Sequence, residues 1–130
     1  MVYIIDDDHV IVLLHKIQVK TQLQGEDIQV FNEAKAALES IVSLDNKGQR
    51  ILIFLDINMP EMNGWEFLDQ LQDRINSVDI KVVIVTSSLS KSDKDKSAEY
   101  TMVIDYWEKP IVTDQFTQLR ERLGNWLTGR

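Results

Sequence analysis

Three stretches constrain this chain more than anything else in it: VYII at 2–5, ILIFL at 51–55 and VVIV at 82–85. Each is apolar and rich in β-branched or aromatic residues. A strand with one wet face alternates apolar and polar side chains, and these runs do not. Unbroken apolar runs of this length belong to strands covered on both faces, as in a parallel sheet layered between helices. IQVF at 28–31 and VIDYW at 103–107 are weaker candidates for two further strands.

Helical spacing fills the gaps. Val10, Leu13, Leu14 and Ile17 share one face and mark it as the first helix's core stripe, with Gly25 placed to stop it. Val12 and Val19 fall off that stripe, and His9 and His15 read as surface residues. Ala34, Ala37, Leu38 and Ile41 form a second stripe with Asn32 as its N-cap. Phe67, Leu68 and Leu71 form a third, and Phe116, Leu119 and Leu123 another, capped by Thr113 or Asp114. A mostly polar helix is expected from Lys91 to Tyr100. Strand alternating with helix over 130 residues predicts a single doubly wound α/β domain with right-handed crossovers. SLDNKGQR at 43–50 is a polar loop, and there is no repeat or linker.

The chemistry sits just beyond the strands. Asp6, Asp7 and Asp8 follow the first, Asp56 the third, Thr86, Ser87 and Ser88 the fourth, and Lys109 and Pro110 the fifth. Open α/β sheets bind ligands in the crevice outside the carboxyl ends of their strands. If those strands are neighbours, Asp6, Asp7, Asp56, Thr86 and Lys109 meet in one pocket. Two carboxylates at ~4 Å repel by roughly 4 kcal/mol at an effective dielectric near 20, so such a cluster takes up protons or recruits a cation. An all-oxygen site suits a hard ion such as Mg²⁺. The ion and Lys109 together would surround a phosphoryl group with positive charge, and Thr86 adds a hydroxyl donor. No Walker motif or G-x-G-x-x-G is present, so the pocket is shaped for a phosphoryl group and not for a nucleotide. A carboxylate can attack phosphorus to give an aspartyl phosphate. Asp56, presented by a strand end and followed by Pro60 and Gly64 in FLDINMPEMNG, is placed to be that nucleophile.

Taken together, YIIDDD, FLDINMPEMNGWEFL, VIVTSS and YWEKP resemble, in order and spacing, the receiver domain of bacterial two-component response regulators. The resemblance covers essentially the whole chain. It implies a flavodoxin-like (βα)5 three-layer sandwich whose five parallel strands run 2-1-3-4-5. By the same resemblance Asp56 would be the phosphoacceptor, fed by a histidine kinase or a histidine phosphotransfer protein. Asp7, Asp56 and the Asn58 backbone carbonyl would bind Mg²⁺ (or Mn²⁺) directly, and Asp6 through water. Thr86 and Lys109 would hold phosphoryl oxygens, Tyr106 would be the switch aromatic, and Asn58 and Ser88 would tune dephosphorylation. The Lys109–Pro110 peptide would be cis. MVID at 102–105 departs from the small residues common there in the family. With no output domain in residues 1–130, the chain resembles the stand-alone receivers, which act by docking on another protein.

Charge and composition narrow the rest. A net charge of −7 and lysines interleaved with aspartates in KSDKDK leave no basic patch for nucleic acid. The absence of cysteine excludes disulfides and thiolate metal sites. No apolar stretch approaches the roughly 20 residues of a membrane span, and no secretory signal is visible, so a cytoplasmic protein without a membrane partner is expected. Two other functions remain open. One is a phosphatase of the haloacid dehalogenase type, although DIN places Asn58 where that family needs a second aspartate. The other is a phosphorylation-independent interaction module on the same fold. The leading expectation is a signalling phosphoacceptor, not an enzyme.

Overall fold

In a computed structural model, which describes residues 1–87 and 90–127, five strands and five helices alternate along the chain. The strands are β1 (Val2–Ile5), β2 (Ile28–Phe31), β3 (Arg50–Leu55), β4 (Asp79–Thr86) and β5 (Val103–Glu108). The helices are α1 (His9–Gln22), α2 (Ala34–Ser43), α3 (Gly64–Arg74), α4 (Lys91–Ser97) and α5 (Thr113–Leu123). All strand pairs are parallel, in the order β2-β1-β3-β4-β5. This is the predicted doubly wound sheet. Among the described residues no helix is long and apolar enough to cross a membrane.

The unbroken apolar runs are explained by two cores, one on each face. Tyr3, Ile5, Ile51, Ile53, Leu55, Val82 and Ile84 point toward α2 and α3, where they meet Leu38, Ile41, Phe67, Leu68 and Leu71. Val2, Ile4, Leu52, Phe54, Val83 and Val85 point the other way, toward Val12, Val19, Phe116, Leu119 and Leu123 of α1 and α5. Successive strand residues thus serve opposite layers, as the period of two requires. Trp107 closes the second core against Phe54 and Phe116, with ring centroids 6.0 and 6.2 Å away. Where β5 meets β4 the register slips by one residue, Val82 pairing with Val103 but Val83 with Asp105.

Helix α1 corrects the expectation. Val10, Leu13, Leu14 and Ile17 are exposed, Leu13 at 60%, whereas Val12, His15 and Val19 are buried, Val19 completely. At about 100° per residue the two sets lie on nearly opposite faces of the helix. The face that meets the sheet carries a histidine, and the richer apolar stripe faces out. His15 is admitted to the interior because its Nε2 accepts the Ile111 backbone N–H at 3.3 Å. Smaller corrections concern helix ends. Glu33, not Asn32, precedes α2. Val112 precedes α5, its N–H satisfied by Gln115 Oε1 at 2.9 Å, in place of a Thr113 or Asp114 cap. Helix α4 ends at Ser97.

These assignments separate two α1 substitutions sharply. Val19→Ala is expected to cost about 2 kcal/mol by opening a core cavity, whereas Leu13→Ser is expected to stay within about 0.5 kcal/mol of wild type. Urea denaturation of the two variants measures both, and the reverse ranking would contradict the placement of α1.

Candidate functional site

The carboxyl ends of β1, β3, β4 and β5 converge on one edge of the sheet. The Asp56 N–H donates to the Ile5 carbonyl at 2.9 Å, and the Lys109 N–H to the Thr86 carbonyl at 2.7 Å, so the strand ends are tied together by their backbones. Above them lies an open cavity of about 530 Å³ lined by Asp7, Asp8, Asp56, Asn58, Lys109 and Pro110, among others. Carboxylate oxygens of Asp6, Asp7 and Asp56 all lie within 4.8 Å of one another. Asp6 and Asp56 are each only 3% exposed, whereas Asp7 faces solvent.

Lys109 is the counter-charge. Its Nζ sits 2.7 Å from Asp6 Oδ2 and 3.4 Å from Asp56 Oδ1. Burial disfavours the ammonium, but the two carboxylates outweigh it and raise its pKa. Asp56 moves the opposite way from an ordinary carboxylate: burial first, and then the Asp6 charge, push it from 3.8 up to about 6, against the pull of Lys109. One ammonium among three carboxylates leaves the cluster net negative. The donor set is entirely oxygen, with Asp7 open to water, which is the chemistry of a Mg²⁺ site. The buried Thr86 Oγ1 has no hydrogen-bond partner among the described residues. A hydroxyl buried at a strand end and left unpaired fits a site that awaits an acceptor such as a phosphoryl oxygen.

Local sequence explains how the Asp56 loop is held. Asn58 N–H donates to Asp56 Oδ1 at 3.3 Å. Asn63 caps α3 reciprocally with Glu66, at 2.9 and 3.1 Å, a pairing spelled by the N-x-x-E of NGWE. Gly64 is required for proximity: a Cβ there would lie 2.8 Å from the Asp56 carbonyl oxygen and 2.8 Å from Ile57 Cα. Its N–H donates to the Ile57 carbonyl at 2.9 Å, so α3 starts in contact with the peptide beside the candidate nucleophile.

Of the residues singled out in the sequence, Asp6, Asp7, Asp56 and Lys109 come together, and Asn58 lines the cavity beside them. The Lys109–Pro110 peptide is cis. Asp8 does something else: its carboxylate accepts the Val10 and Ile11 N–H groups and caps α1. Tyr106 is half-buried in β5 and lines a separate groove with Lys94, Ala98 and Ile104. Its phenol pKa is raised, by burial first and then by the Asp93 charge. Ser88 lies outside the described residues. The residues missed in the sequence are His15 and Gln18, which reach from α1 to the Ile111 peptide two residues beyond Lys109.

Comparison with known proteins follows the same outline. The family model for the response regulator receiver domain matches residues 2–121. The chain is 30% identical over 115 residues to the transcriptional regulatory protein MalR of Bacillus subtilis, covering 88% of this chain and 46% of that protein. It is 30% identical over 92 residues to the sensor histidine kinase CheAY of Helicobacter pylori, spanning 69% of this chain but 11% of that protein. The chemotaxis protein CheY of Listeria monocytogenes is 28% identical, with 92% and 93% of the two chains covered. Among solved structures, a two-component response regulator from Cytophaga hutchinsonii superposes with a TM-score of 0.81 at 28% identity, covering 95% of this chain and 96% of its own.

Two expected outcomes come from the geometry. Because the folded-state pKa of Asp56 is raised, the folded protein holds more protons than the unfolded chain between about pH 4 and 6, and loses stability as pH rises through that window. In Mg²⁺-free buffer at pH 7, Asp56→Asn is therefore expected to be the more stable protein, by up to about 3 kcal/mol, with the difference vanishing near pH 4. Thermal or urea denaturation of the two proteins across pH reads it directly, and a gap that is flat with pH would contradict the assignment. Gly64→Ala is expected to cost about 1–3 kcal/mol, since the backbone it meets cannot turn aside as a side chain can.

Proposed function

Since the chain belongs to the response regulator receiver domain family, we propose that it is a phosphoacceptor that takes a phosphoryl group onto Asp56 and switches a protein-docking surface. The observation that carries this reading is the placement of Lys109 between Asp6 and Asp56, at 2.7 and 3.4 Å, beside a third carboxylate open to solvent. The arrangement holds one nucleophilic carboxylate in place with an ammonium beside it, and its net negative charge invites the cation that would complete a positive surround for an incoming phosphoryl group.

In the proposed reaction an Asp56 carboxylate oxygen attacks phosphorus. An O–P bond forms, and the bond from phosphorus to the donor breaks. With a histidine kinase or a histidine phosphotransfer protein the departing group is the imidazole, which takes up a proton. Receiver domains take phosphoryl groups from histidine kinases, and the downstream target here is a protein. A Mg²⁺ ion held by Asp7, Asp56 and the Asn58 carbonyl, with Asp6 reaching it through water, would neutralise phosphoryl charge. Lys109 pairs with a phosphoryl oxygen as its hold on Asp56 is exchanged, and the Thr86 hydroxyl, without a partner among the described residues, turns to donate to another. Phosphoryl transfer asks mainly for such positioning and charge neutralisation. Phosphorylation then acts through the difference in its interactions with two conformations, with Tyr106 and the groove beside α4 on the responding side. Asn58 stands where a phosphatase of the haloacid dehalogenase type needs its second aspartate, which argues against steady turnover of phosphate esters.

Intact-protein mass after incubation with acetyl phosphate tests the proposal. A single phosphoryl adduct is expected, dependent on Mg²⁺ and absent in Asp56→Asn. Lys109→Met is expected to slow adduct formation by about 10²-fold, the scale of losing one preorganised charge donor. An Asp56→Asn protein that still labels at the wild-type rate would overturn the assignment of the nucleophile.

A further inference from the structure

Helix α1 reaches across the fold to the loop that carries the site's ammonium. His15 is 1% exposed and lies in the layer between α1 and the sheet. Its Nε2 accepts the Ile111 N–H at 3.3 Å, across 96 residues of sequence. One turn further along α1, Gln18 Nε2 donates to the Ile111 carbonyl oxygen at 2.5 Å. Ile111 is itself 1% exposed, so neither of its backbone groups has water as an alternative partner. On the other side, the Lys109 N–H is held by the Thr86 carbonyl at 2.7 Å. The segment 109–111 is thus pinned at three points, two of them on α1.

An ordinary core residue does not explain His15. A leucine or valine would fill the space, but it would leave the Ile111 N–H buried and unpaired, at a cost of about 1–3 kcal/mol. Burial first of all holds the imidazole well below its usual range, at about 4, so it is neutral at neutral pH. Its proton then sits on Nδ1, and the Nε2 lone pair is free to accept. We infer that His15, seconded by Gln18, is a positioning residue for Lys109, fixing the backbone from which the ammonium reaches Asp6 and Asp56. The inference deepens the phosphoacceptor reading and rests on it only for its consequence in the reaction. A displacement of about 1 Å in a positioned charge can cost up to about 10²-fold in rate.

The test reads the position of Lys109 and the reaction separately. His15→Leu removes the acceptor, and His15→Gln keeps one. In wild type, Lys109 is expected to be acylated slowly by trace acetic anhydride relative to the exposed Lys47, because its ammonium is ion-paired and its side chain only 12% exposed. In His15→Leu the Lys109 to Lys47 labelling ratio is expected to rise severalfold. Mg²⁺-dependent labelling by acetyl phosphate is expected to fall about 10-fold, while calorimetric Mg²⁺ affinity stays the same or tightens as the competing ammonium withdraws. His15→Gln is expected to return both readouts toward wild type. Wild-type labelling of Lys109 in His15→Leu overturns the inference. So does a His15→Gln protein no better than His15→Leu, or a parallel loss of Mg²⁺ affinity and phosphorylation, which marks general loosening. If His15→Leu does not fold, Gln18→Met carries the same Lys109 labelling test with the same reading. If wild type forms no adduct yet His15 controls Lys109 labelling, the phosphoacceptor reading fails while the positioning of Lys109 stands.

Discussion

A sheet covered on both faces has nowhere to put a charge except at the ends of its strands. Every residue of β1 and most residues of β3 and β4 are committed to one of two apolar layers, so the buried polar residues of these strands gather at the edge where the chain leaves the sheet. The order β2-β1-β3-β4-β5 then decides which ends meet. It sets β3 between β1 and β4, and β5 beyond β4, and so gathers residues 6, 56, 86 and 109 from four corners of the sequence. The site is a consequence of topology before it is a consequence of any motif.

Within that edge the balance of charge is deliberately uneven. Lys109 compensates Asp6 and Asp56 at 2.7 and 3.4 Å, and this lets two carboxylates be buried at all. Asp7 is left facing water, and Asp56 is still held above the usual carboxylate range, chiefly by burial. The cluster is stable enough to fold and unsatisfied enough to take a cation, and the two requirements are met by one ammonium where full neutrality would need more.

Much of this was legible in the sequence because the signals were strong and local. Unbroken apolar runs identify strands buried on both sides, and the residue after each run is placed by the end of the strand. Helix α1 was misread for a physical reason. Val10, Leu13, Leu14 and Ile17 outweigh Val12, His15 and Val19 on any apolarity scale, yet only the second set faces the sheet. What admits His15 is an N–H donor 96 residues away, and spacing along a helix carries no trace of such a partner. Helix ends were similarly hidden. Val112 caps nothing with its own side chain, and its N–H is met by Gln115. The N-x-x-E spacing of Asn63 and Glu66 was overlooked as well, although the pair anchors the loop that follows Asp56.

Gly64 gives the site a stiff side and a soft side. On the α3 flank there is no room for even a methyl group against the Asp56–Ile57 backbone, and the first turn of the helix is bonded to it. A body already in contact cannot yield by moving closer. On the β4 flank stands the Thr86 hydroxyl, which has no partner to give up among the described residues. If Asp56 takes the phosphoryl group proposed for it, the added group would meet a wall on the α3 side, and the Thr86 side chain would be the part left to adjust, much as a wedge driven against a fixed jaw moves only the free one.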